Sequence, residues 1–183
     1  MTDDVDIGAE NCHLKKLIIA LHRALYLSIF TIAAAPVGAA AAEPSRELPA
    51  EIMKLWPYHA FLVVLGFSLL VWGMTVARRK DKGWLKKHKI LGISGTAFAI
   101  SGMTMAAYMV SAASQGHLKV PHAYLGFFVI LLLIITPTLG IFQLKVNKKR
   151  SAHIRRIHRL FGRTALLLNA LNILFGLLIV SSA

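Results

Sequence analysis

From Lys82 to its C-terminus the 183-residue sequence contains no aspartate or glutamate; all eight of its acids precede that point. Paired-carboxylate acid–base catalysis is therefore excluded from that part of the chain. A proton pump or cation transporter, which relies on intramembrane carboxylates, is disfavoured for the same reason. Cysteine is almost as scarce. The single Cys12 excludes an intramolecular disulfide, a cysteine-based zinc site, a thiolate-held iron–sulfur cluster and C-x-x-C-H haem attachment. No serine or cysteine lies in a recognisable nucleophile motif. Only 16% of residues are charged and 56% are hydrophobic, yet the formal net charge is +13. A basic nucleic-acid-binding domain carries more charge and less apolar surface, so nucleic acid is excluded as a partner.

What the chain does contain is long apolar stretches. Four of them, at about Ala60–Ala77, Ile90–Ala113, Ala123–Leu144 and Thr164–Ser182, contain no Asp, Glu, Lys or Arg. Each approaches the roughly 20 residues that a membrane-spanning helix requires. The expected fold class is all-α, an integral-membrane up-down four-helix bundle. An additional N-terminal hydrophobic segment, about Leu17–Ala42, is interrupted by His22, Arg23, Pro36 and Gly38. Lys15 and Lys16 precede it, and Ala40-Ala41-Ala42 forms an A-x-A cleavage pattern. Residues 1–42 thus read as a signal peptide or a fifth transmembrane helix, and 43–183 as the four-helix domain.

The bases are segregated. Segment Arg78–Lys89 holds seven Lys/Arg against Asp81, and Lys145–Arg163 holds eight with no acid, together fifteen of the twenty-one. Under the positive-inside rule both loops are cytoplasmic, and the C-terminus is extracytoplasmic.

Four of the eight histidines, His59, His88, His122 and His158, sit at or just before the N-terminal end of one apolar span each. The up-down topology sorts them by depth. His59 and His122 fall near the outer face, His88 and His158 near the cytoplasmic face. Each depth therefore holds two imidazoles on different helices, as bis-imidazole ligation of a haem iron requires. Glycines accompany them. Gly92, Gly126 and Gly162 follow His88, His122 and His158 by four residues. Gly66 and Gly73 follow His59 by seven and fourteen, as Gly95 and Gly102 follow His88. Gly140 and Gly176 follow His122 and His158 by eighteen. All these offsets lie near the histidine face of a helix. Two readings stand: close helix packing, or space for a flat macrocycle beside the backbone, with Gly66, Gly92, Gly95, Gly126 and Gly162 as cofactor contacts.

With these four histidines on four successive spans, residues 57 to 183 resemble the core of the cytochrome b561 family, including its bacterial four-helix members. The resemblance implies two haem b groups, one held by His59 and His122 and one by His88 and His158. It also implies transmembrane electron transfer. The expected donor is quinol or a cytoplasmic reductant; the expected acceptor is an extracytoplasmic cytochrome or ferric iron, which would make the chain an oxidoreductase-type carrier. Two alternatives remain: a quinone-reactive cytochrome b anchor for a larger dehydrogenase, and a haem-free transporter or assembly bundle. Membrane lipid and a homodimer are the other candidate partners.

The remaining polar residues divide similarly. Lys89 and Arg159, with Lys86, Lys87, Arg155 and Arg156, could neutralise the propionates of the inner haem, or could serve only topology and anionic-lipid binding. Asn169 and Asn172 suit hydrogen bonding between helices, or a quinone or haem contact. His117 and His153, five residues before His122 and His158, read as loop residues and as reserve ligands. Met103, Met105 and Met109 read as core filling. Thr136-Pro137 is expected to kink the third span.

Overall fold

The computed structural model describes residues 48–182. The N-terminal segment, read above as a signal peptide or fifth helix, lies outside the described residues, as do His13 and His22. Four helices make up the described chain: α1 (Ala50–Arg79), α2 (Trp84–Ala112), α3 (Pro121–Phe142) and α4 (Lys148–Ser181). All four are long and apolar enough to cross a membrane, and among the described residues there is no strand.

The helix ends follow from local sequence. Lys80 closes α1 in the left-handed conformation at φ 56°, its N–H bonding the Val76 carbonyl. Gly83, at φ 75°, starts α2 after a four-residue turn. Glycine carries no Cβ penalty at such a φ, so the tight reversal costs little there. Pro121 opens α3 at the first helical position, where its missing N–H is harmless. The Asn147 side chain caps α4 by accepting from the Arg150 N–H at 3.0 Å. That cap starts α4 well before its apolar run, so the basic segment from Lys148 is helical. Pro137 lies inside α3, which continues through it.

α1 packs most extensively on α2 and α3 on α4; α2 also touches α3, and α4 touches α1. The bundle is therefore two antiparallel hairpins, α1–α2 and α3–α4, with more modest contact between them. Its interior is narrow. The buried apolar residues include Ala99, Leu125, Val129, Leu132, Leu133, Ala165 and Leu168, while Phe61, Trp72, Tyr108, Leu174 and Leu178 point outward. An apolar exterior over small interior residues is what lipid as solvent demands, because burial against lipid offers no hydrophobic gain and close backbone approach must supply the cohesion.

The α1–α2 hairpin makes that approach through glycine. A Cβ placed on Gly66 would lie 2.8 Å from the Gly95 carbonyl oxygen and 2.9 Å from the Ala99 nitrogen; one on Gly95 would lie 2.9 Å from the Gly66 oxygen. Backbone cannot rotate out of the way as a side chain can. Gly66→Val is therefore expected to force the helices apart and cost about 1–3 kcal/mol, the usual penalty of overpacking. Thermal unfolding in mild detergent would register it as a lower midpoint; an unchanged midpoint would contradict the packing described.

Candidate haem-binding site

His59, His88, His122 and His158 are all half-buried, and all four make the same kind of bond. His59 Nδ1 donates to the Gly102 carbonyl at 2.8 Å. His88 Nδ1 donates to the Gly73 carbonyl at 2.9 Å. His122 Nδ1 donates to the Asn172 carbonyl at 2.9 Å, and His158 Nδ1 to the Thr136 carbonyl at 2.8 Å. A carbonyl oxygen only accepts, so each Nδ1 must carry the proton. Each Nε2 is then left as a lone pair, the tautomer a metal ligand needs, with its ring orientation held by the second nitrogen.

The bonds have a common register. Gly73, Gly102, Thr136 and Asn172 each lie fourteen residues after the histidine of their own helix. Fourteen residues are close to four full turns, so ligand and acceptor share a face about 21 Å apart. Within each hairpin the helices run antiparallel, and each accepts the other's histidine at the far end of that interval. Every anchor is thus made inside one hairpin.

The rings then meet across the hairpins. His59 of α1 faces His122 of α3 with ring centroids 6.2 Å apart and planes at 86°. His88 of α2 faces His158 of α4 at 6.1 Å and 85°. The two pairs anticipated from topology are the two pairs brought together.

Glycine makes room for two of the rings. A Cβ on Gly140 would lie 3.0 Å from His158 Cε1, and one on Gly176 would lie 2.9 Å from His122 Cε1. The notches are crossed: Gly140 shares a helix with His122 but receives His158, and Gly176 shares a helix with His158 but receives His122. Of the other glycines singled out in the sequence, Gly66 and Gly95 sit at the α1–α2 contact. A Cβ on Gly126 would meet Asn172 Nδ2 at 3.2 Å, one on Gly162 would meet Thr136 Cγ2 at 3.4 Å, and one on Gly92 would meet nothing within 4 Å.

The other residues separate clearly. Lys89 and Arg159 are exposed at the basic end of the bundle. His117 is bonded to Ser111 at 3.2 Å, and neither it nor His153 belongs to a ring pair. Met109 is buried in the core. Asn169 and Asn172 are buried, but Asn169 Nδ2 and Asn172 Oδ1 have no protein partner. The contribution of Asn172 that sequence reasoning missed is its main-chain carbonyl, the anchor of His122. The Trp84 ring lies 6.4 Å from that of His88, a contact suggested only by their spacing of four on one helix.

The donor set fits haem. Among the described residues no group of three or more His, Cys, Asp or Glu could hold a metal ion. A protein-held zinc takes three or four protein ligands; an imidazole pair suits a site where a macrocycle supplies the remaining nitrogens. The spacing agrees. A metal–imidazole bond is about 2 Å and the ring centre lies about 1 Å behind its nitrogen, so trans imidazoles put their centroids roughly 6 Å apart.

These features define a membrane four-helix bundle with a pair of opposed imidazoles toward each end. The family model for eukaryotic cytochrome b561 matches residues 56–181, and the chain belongs to the cytochrome b561 family. No curated protein and no solved structure matches it. Family and fold together make it an integral membrane protein of haem b-dependent transmembrane electron transfer.

Proposed function

We propose that the chain holds two haem b groups, one between His59 and His122 and one between His88 and His158, and carries electrons across the membrane between them. The supporting observation is the set of four Nδ1–carbonyl bonds, which leaves each Nε2 with its lone pair, on rings that meet in two pairs with centroids 6.2 and 6.1 Å apart. Haem b would be held by these four imidazoles and would supply a one-electron iron couple, which suits transfer of electrons.

The chain's own residues do the rest. The carbonyls of Gly102, Gly73, Asn172 and Thr136 fix the imidazole planes, so little reorientation accompanies a change of charge at the iron. Gly92 leaves open space on the backbone one turn after His88, and Gly126 and Gly162 leave narrower steps beside Asn172 and Thr136, whereas Gly66 and Gly95, expected as cofactor contacts, are taken up by the α1–α2 contact. Lys89 and Arg159 offer cations near the inner pair for anionic propionates. Reading the basic loops as cytoplasmic, electrons enter from quinol or a cytoplasmic reductant at the His88/His158 end. They leave from the His59/His122 end to an extracytoplasmic cytochrome or ferric acceptor. A bacterial inner membrane suits that polarity.

The test is a dithionite-reduced minus air-oxidised spectrum of purified protein, with haem quantified per chain. Two low-spin bis-histidine haems per chain are expected. One haem per chain at saturation, or a high-spin spectrum, would refute the two-site reading.

A further inference from the structure

α4 carries a surface that electron transfer does not use. Lys149, Arg156 and Arg163 recur every seven residues along it, and all three are exposed. At about 100° per residue they lie within roughly 40° of the line diametrically opposite His158. Leu167, Leu171, Leu174 and Leu178 continue the same stripe within that angle and are 51%, 38%, 56% and 62% exposed. The buried side of the helix is formed by Ser151, Ala165, Leu168, Asn169 and Asn172. The outward face therefore passes from cations, with the half-buried His153 and Leu160 among them, to leucines. It points away from the inner imidazole pair, so these arginines are not aimed at a group bound there.

The depth of the change is unusual. The bonds of His88 and His158 place Gly73, Thr136 and His158 at one level of the bundle. On α1 the first cation, Arg78, lies about 7.5 Å beyond that level toward the basic end, and α3 ends at Phe142, about 9 Å beyond it, before its first following cation, Lys145. On α2 the last cation, Lys89, lies only about 1.5 Å on the other side, and on α4 the last cation, Arg163, lies about 7.5 Å toward the membrane centre. Arg163 is thus roughly 16 Å deeper than the basic end of its neighbour α3 and the deepest of these cations. No acid lies anywhere from Lys82 onward, so α2, α3 and α4 offer it no carboxylate.

We propose that this face of α4 binds an anionic phospholipid, with its phosphate between Arg156 and Arg163 and its acyl chains along Leu167, Leu171 and Leu174. Two turns separate the arginines, and their long arms can converge on one phosphate while their stems lie along the helix. The leucines begin one turn below Arg163, where acyl chains descend from a headgroup held at that height. The leucines face lipid in any case; what separates the occupants is the depth of Arg163, which a soluble acidic partner stopping at the membrane surface would not reach and a phospholipid phosphate does.

The test uses the full chain in mild detergent with equimolar phosphatidylglycerol and phosphatidylcholine, read by native mass spectrometry. Phosphatidylglycerol is expected to be retained roughly tenfold over phosphatidylcholine, the scale of a few cations at a membrane surface. The double variant Arg156→Gln/Arg163→Gln is expected to fall to near parity. The control Lys80→Gln/Lys82→Gln, equal in charge, is expected to keep the preference. In a second measurement that leaves every cation in place, Leu167→Trp is expected to be quenched several-fold more by brominated phosphatidylglycerol than by brominated phosphatidylcholine. No preference in the unmodified chain, equal loss in the control, or equal quenching by both lipids would overturn the proposal.

Discussion

Replacing His88 with alanine is expected to remove one haem from each chain and leave the other in place. The iron at that site would lose one of two axial ligands, and His158 alone would face an empty position. His158→Ala is expected to empty the same site, and the double variant to be no worse than either single one, because residues that act as one unit are not additive. His59→Ala and His122→Ala are expected to empty the other site. The sites separate because all four anchors are local to their own end: Gly73 and Thr136 hold the rings of His88 and His158 toward the basic end, Gly102 and Asn172 those of His59 and His122 toward the other. The two levels are about 21 Å apart along the helices. Haem quantitation and the reduced spectrum of each variant give the readout, and added haem together with imidazole should restore the second low-spin haem of His88→Ala. Retention of both haems in His88→Ala, or loss of the same haem in His88→Ala and His59→Ala, would sink the pairing.

Valine at Gly140 is expected to disturb the haem held by His158, although Gly140 belongs to the helix that carries His122. Valine at Gly176 is expected to disturb the haem held by His122. In each case even the Cβ would press on the neighbouring imidazole at about 3 Å, at 3.0 Å for Gly140 and 2.9 Å for Gly176. The ring must turn or retreat, and its bond to Thr136 or Asn172 is lost with it. Breaking such a bond behind a metal-bound histidine typically weakens the metal site about 10–100-fold while every ligand remains in the chain. Haem-transfer kinetics to an apoprotein acceptor, followed separately for the two sites, would measure the effect. Faster loss at the site on the same helix as the substituted glycine would contradict the crossed geometry.

Much of this was legible in the residues. Lipid selects apolar stretches of a definite length, so four spans could be counted. Bases segregate by membrane side, so the up-down order followed, and with it the sorting of His59 with His122 and His88 with His158. Helix ends were less legible, because hydropathy reports where a helix meets lipid and not where it begins. α4 starts at Lys148, sixteen residues before the apolar run at Thr164, because Asn147 caps it there. His158 consequently lies inside α4 and not at its start. α1 likewise begins at Ala50, ten residues ahead of its apolar stretch.

The sequence by itself determined the class of protein, the four ligand candidates and their depths, since membrane thickness and charge asymmetry act on each segment separately. Only the tertiary structure decided what each residue does for another. The periodicity of Gly140 and Gly176 puts them on the histidine face of their own helices, but a notch is filled by whichever ring the adjacent helix presents. Likewise, no side-chain pattern marks the carbonyl of Asn172 or Thr136 as an anchor, because every residue has a carbonyl. Those roles depend on the register and closeness of packed helices. A chain with no acid after Asp81 holds its four imidazoles with backbone carbonyls in place of carboxylates.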